Sequence, residues 1–209
     1  MIKSIKELQN YVINDLDEKD DVIFQRPCMM TSPGRPKEEI EELKKALPSI
    51  PDSYTKWVEA VNLNGIAVGF FDVCPASFCS GGMVANIIEG NRKDVLFWEQ
   101  MQQYHLYSVA TIDGYGIFVA TSSSPYKEGE IIAIDEEIYG EENNPEQWIY
   151  KLSKDFEQFL IVAGNVNQIR REVNKDDSNY DEKKKEFLDR LKQLDVAEEY
   201  YEAWMLMFY

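Results

Sequence analysis

The sequence is poor in the residues that most site chemistry needs. It has one histidine, His105, and three cysteines, Cys28, Cys74 and Cys79, in 209 residues. A lone histidine beside Tyr104, with no serine or cysteine partner in a recognisable setting, supports no nucleophile–base triad and reads as structural. Three irregularly spaced cysteines make no disulfide framework. Cys74 and Cys79, on either side of Pro75, read as reduced, partly buried thiols rather than a metal or redox pair. Gly65, Gly69, Gly81 and Gly82 lack the spacing and the following Lys-Ser/Thr of a phosphate-cradling loop. Ser53 and Lys56 match an S-x-x-K pattern without its companion elements, and Ser53 is better placed as a helix cap. No apolar run approaches the roughly 20 residues a membrane span needs. The first residues are charged and amphipathic and carry no secretory block, so the chain is expected to be cytoplasmic.

Acidic side chains, in contrast, are abundant. There are 38 Asp and Glu against 22 Lys and Arg, a formal net charge of -16. Such a surface repels phosphate backbones and anionic lipid, which argues against nucleic-acid and membrane partners. It attracts basic proteins and speeds their encounter, although acidity by itself also serves solubility. Hydrophobic residues make up 44% and aromatic residues 12%, enough to build a core and too much for a disordered chain.

Periodicity divides the chain into helices and strands. Ile2, Ile5, Leu8, Val12 and Leu16 fall at helical spacing, and a loop rich in proline follows from Gln25 to Pro36. Helices are predicted from Pro36 to about Ala46 and over 52–62, the second capped by Asp52 or Ser53. Ile66 to Val73 reads as a strand and 86–103 as a helix. Strands at 107–112, 116–121 and 130–134 form a meander, with Asp113-Gly114 as its tight turn. A helix from Ser153 carries Phe156, Phe159, Leu160 and Val162. A polar break at 174–183, a helix over 184–194 and a further apolar-faced segment from Val196 complete the chain. The fold class is α+β, a twisted, mainly antiparallel sheet with helices around it and extra helices at both termini. Trp57, Phe97, Trp98, Phe156 and Phe159 sit at core spacing.

Several of these pieces, in this order, resemble the SUKH superfamily of bacterial immunity proteins and a fungal cell-wall-assembly regulator. They are Leu47-Pro48, the run Ile50 to Tyr54, Trp57, Asn64-Gly65, Tyr107 to Gly114 (YSVATIDG), Gly116 to Val119 (GIFV), Glu130 to Asp135 (EIIAID) and Asp155 to Leu160 (DFEQFL). The resemblance covers about 37–172; 1–36 is then an N-terminal helix and loop, and 173–209 a C-terminal helical extension. The segment 75–86 departs from the family pattern. The resemblance implies an α+β fold without a shared catalytic site. It also implies neutralisation of a cognate toxin, often a nuclease or deaminase, by direct contact.

No catalytic residue, metal ligand or cofactor is assigned. The expected partner-binding residues are the acidic run Glu130, Asp135, Glu136, Glu137, Glu141 and Glu142, with Asp113 and Tyr115 on the neighbouring turn. A nuclease must present Lys and Arg to hold phosphates, so an inhibitor needs carboxylates to cover them. The expected partner is therefore a basic protein, namely a toxin domain. Two other functions fit the same residues: an intracellular regulatory scaffold, and a carboxylate-dependent hydrolase.

Overall fold

A computed structural model describes residues 1–15, 33–63, 67–68, 71–75, 82–112, 114–139, 145–174 and 177–208. Its centre is a six-stranded sheet in which every neighbouring pair is antiparallel and sequence order is spatial order. The strands are β1 (Ala67–Val68), β2 (Phe71–Asp72), β3 (Leu106–Ile112), β4 (Tyr115–Ala120), β5 (Ile131–Asp135) and β6 (Ile149–Ser153). β3, β4 and β5 are the meander predicted from alternation.

Alternation sends successive side chains to opposite faces of the sheet. Ile117, Val119, Ile131 and Ala133 join one buried cluster, and Phe118, Ala120, Ile132 and Ile134 join another. A bulge between Ser108 and Ala110 breaks the alternation of β3, so Val109 and Ala110 both enter the first cluster.

The first cluster holds most of the helical residues. It takes Leu8 from α1 (Ile5–Asp15), Ile40 and Leu43 from α2 (Lys37–Ala46), and Tyr54 and Val58 from α3 (Asp52–Ala60). It also takes Phe156 and Phe159 from α6 (Phe156–Arg170), Phe187 and Leu191 from α7 (Tyr180–Gln193), and Trp204 from α8 (Tyr201–Leu206). The rings meet edge-on or stacked. Tyr54 and Phe156 lie 5.0 Å apart at 89°, Phe71 and Phe159 5.1 Å apart at 86°, and Phe159 stacks on Trp204 at 6.1 Å. The N-terminal segment is clamped to α6. Buried Asn165 accepts from the Ile2 N–H at 3.1 Å and donates to the Ile2 carbonyl at 2.8 Å. A Cβ on Gly164 would stand 2.5 Å from Leu8, so glycine admits α1 at this distance.

Several predicted elements differ, among them the helix expected over 184–194, which begins at Tyr180 inside the predicted polar break. The helix expected over 86–103 is two, α4 (Met83–Glu89) and α5 (Trp98–Gln103). Between them buried Asn91 donates to the Ile87 and Ser108 carbonyls and accepts from the Ser108 N–H at 2.7 Å. The side chain thereby fixes the chain to β3 at the point where the helix would have continued. The strand expected over 66–73 is two short ones, paired Val68 to Phe71. Neither Asp52 nor Ser53 caps α3. Pro51 holds the cap position with no side-chain cap bond, and Asp52 instead accepts from Lys44 Nζ at 2.7 Å. Asn64 and Gly65 lie outside the described residues.

Candidate functional site

The end of the sheet where β3 turns into β4 gathers four of the expected partner-binding residues, Tyr115, Asp135, Glu136 and Glu137. Gly114, at φ 75°, makes the turn. Tyr115 and Asp135 face each other in register, and the Glu136 N–H donates to the Gly114 carbonyl at 2.8 Å, starting a 3-10 turn over Glu136–Tyr139. Glu136 and Glu137 are exposed, and neither carboxylate forms an ion pair among the described residues. Asp135 is half-buried, and its Oδ1 accepts from the Glu137 N–H at 3.0 Å.

Two of the expected residues have other engagements. Tyr115 is half-buried against the first core cluster and stands opposite Asp135 on β5. Its phenol is pushed up, first by burial, then by the Asp135 carboxylate it faces. Glu130 does not belong to a surface: it is 0% exposed. Its Oε1 accepts from the Tyr200 hydroxyl at 2.8 Å and its Oε2 from the Lys127 N–H at 3.1 Å, with Lys151 Nζ at 3.8 Å from Oε1. A carboxylate entering β5 can be buried because these partners replace its water. Asp113, Glu141 and Glu142 lie outside the described residues, as do Cys28 and Cys79. Cys74 is a buried free thiol pushed up to about 12 by burial and by the neighbouring Asp72 charge.

Beside Glu136 the second face of the sheet is open. A concavity of about 340 Å³ is lined by Val95, Leu96, Phe97, Ile112, Gly116 and Phe118, among others, and Glu136 is the one charged residue among those lining it. Its floor exists because β4 carries glycine at 116. A Cβ there would lie 2.4 Å from Phe118 Cζ and 2.8 Å from Phe97 Cδ2. Without it, Phe97 and Phe118 meet edge to face at 5.7 Å and 83°. Phe97 holds a φ of 66°, a left-handed conformation that is costly for a bulky residue. The Tyr139 hydroxyl accepts from the Phe97 N–H at 2.6 Å, and the two rings stack at 5.7 Å.

Leu96, Phe97, Gly116 and Tyr139 were not singled out as site residues by pattern. Leu96 and Phe97 fall in a stretch that reads as a continuous helix, where Phe97 is assigned to the core. The exposure of Tyr139 has one local signal: it follows the buried Ile138 in a short acidic turn. Ser53 and Lys56 fall on a separate groove, with Trp57, Asp155 and Glu157. Among the described residues, no group of three or more His, Cys, Asp or Glu is placed to hold a metal ion, and no helix is long and apolar enough to cross a membrane.

Fold and site together define an α+β protein with an acid-edged apolar concavity at one end of an antiparallel sheet. Comparison of the chain with protein-family models, curated proteins and solved structures finds no match in any of the three.

Proposed function

We propose that this chain is an immunity protein of the SUKH type, which binds a basic toxin domain, such as a nuclease, and covers its phosphate-binding surface. The observation that carries the reading is the pair of exposed carboxylates, Glu136 and Glu137, without cationic partners among the described residues and next to a preformed apolar concavity. Unpaired acids are free to meet a partner's lysines and arginines, and an apolar depression beside them supplies the desolvated centre on which interfaces depend. The net charge of -16 adds long-range attraction for such a partner. The sequence resemblance supplies the class of partner.

The test is co-expression with the polypeptide encoded by the neighbouring gene. That polypeptide is expected to arrest growth alone, to be silenced by this chain and to co-purify with it. The double variant Glu136→Lys and Glu137→Lys is expected to fold normally and to associate about tenfold more slowly at low salt, the difference shrinking as salt is added. Stopped-flow mixing across salt concentrations measures this. A harmless, non-binding neighbour would sink the toxin reading. An unchanged association rate in the double variant would move the interface elsewhere.

A further inference from the structure

The geometry points to the kind of contact made at this end of the sheet: the concavity beneath the β3–β4 turn receives one aliphatic or aromatic side chain of a protein partner, with a lysine or arginine beside it paired to Glu136. This inference rests on the reading of the chain as a binder of a basic protein and specifies what that protein must present.

Exposed apolar residues are concentrated here. The large hydrophobic side chains exposed among the described residues are Met1, Leu96, Tyr139 and Leu206. Leu96, 59% exposed, lines the concavity, and Tyr139, 52% exposed, stacks on Phe97 in its wall. Isolated exposed apolar residues need no explanation, whereas two beside one apolar depression mark a contact surface. The volume, about 340 Å³, lies at the small end of ligand-sized sites and suits one large side chain.

The charge at the edge selects the neighbour of that side chain. Glu136 lines the depression, and Glu137 follows it. Glu99 acts electrostatically on Tyr139. In the segment leading to Val95, Arg92 is ion-paired with Glu89, and exposed Lys93 and Asp94 carry opposite formal charges. The unbalanced charge is therefore negative, which disfavours anionic ligands and favours a cation next to the apolar group. The bonds from Glu136 to Gly114 and from Phe97 to Tyr139 hold the walls in place, so little ordering cost attends docking.

The test needs no cognate partner. A short capped peptide with one phenylalanine between two lysines is titrated into the full chain, labelled for two-dimensional amide NMR. Shifts are expected to cluster at Leu96, Gly114, Gly116 and Glu136. Alanine in place of the peptide phenylalanine, or Leu96→Asn in the protein, is expected to weaken binding about tenfold. Glutamates in place of the peptide lysines, or Glu136→Gln, weaken it too. Because Leu96 is exposed, Leu96→Asn is expected to keep the parent unfolding midpoint. If it does not, Leu96→Ser carries the comparison. Shifts scattered over the surface, equal binding of the alanine peptide, or no shifts at millimolar peptide each overturn the inference. An aromatic solute without lysine binding as tightly as the peptide also overturns it, since the site would then be a small-molecule pocket. Should the peptide seat while the neighbouring gene product proves inert, the toxin reading fails and the contact stands. Should that product bind Leu96→Asn unchanged, the contact fails and the toxin reading stands.

Discussion

Glu130 shows at the scale of one residue how a surface-like sequence is turned inward. It precedes a strand in an acidic segment, where exposure is the natural expectation, yet it is wholly buried and binds Tyr200 and the Lys127 N–H. Removing a buried acceptor strands its donors. Glu130→Ala is expected to cost about 3 kcal/mol, because it leaves the Tyr200 hydroxyl and Lys127 N–H without a partner. Glu130→Gln keeps an acceptor oxygen and is expected to cost less than half as much. Urea unfolding of both variants measures the difference, and equal costs would show that charge, not hydrogen bonding, holds the site. A second comparison separates two aromatic residues that the pattern treats alike. Phe159 is wholly buried between Phe71 and Trp204, whereas Trp57 is half-buried at the edge of a groove. Phe159→Ala is expected to cost about 4 kcal/mol and Trp57→Ala clearly less, since part of its ring is already in water. If the two unfolding free energies fall equally, Trp57 is as much a core residue as Phe159.

At the scale of elements, legibility followed how much of each element's cause is local. The meander β3–β4–β5 was readable because alternation and the Asp-Gly turn are both local signals. The helix expected from Ser153 exists but begins at Phe156. Its start is set by Asp155, whose carboxylate accepts from the Gln158 N–H at 2.8 Å. Asp155→Ala is therefore expected to lower stability by about 1 kcal/mol, measurable as a shift in urea midpoint. An unchanged midpoint would show that packing alone sets the helix start. β6 was not legible. Its sequence, Ile-Tyr-Lys-Leu-Ser, is short and has partly exposed residues at its first three positions, and only pairing with β5 makes it a strand. The break between α4 and α5 was equally hidden, because the bonds of Asn91 to Ser108 span 17 positions. The same distinction applies to the site. Its acids were visible as a run, while the concavity beside them arises from Gly116, Phe97 and Phe118, which come together only in the folded sheet.

For the whole molecule, the neutral groups in the core and packed against it set a limit on the alkaline side. Burial is the first cause that raises the phenols of Tyr54, Tyr115, Tyr126 and Tyr200 and the thiol of Cys74, with Tyr126 and Cys74 reaching about 12. Their ordinary values are 10.0 for tyrosine and 9.0 for cysteine. Each folded value lies above the unfolded one, so above about pH 9 the unfolded chain loses protons that the folded chain retains. The stabilisation these groups give is complete below that pH and is lost as pH climbs toward the folded values. A chain already at -16 also repels itself more strongly as phenolates form, which acts in the same direction. Salt separates the two causes, because it screens surface repulsion and leaves the cost of ionising a buried phenol in place. The urea midpoint is expected to fall above about pH 9, and sodium chloride at about 1 M is expected to restore only part of the loss. Tyrosinate absorbance followed along the same titration should show a subset of phenols ionising together with unfolding and not before it. Full recovery in salt would assign the decline to surface charge. A midpoint constant to about pH 11 would mean that these tyrosines and Cys74 ionise as easily in the fold as outside it.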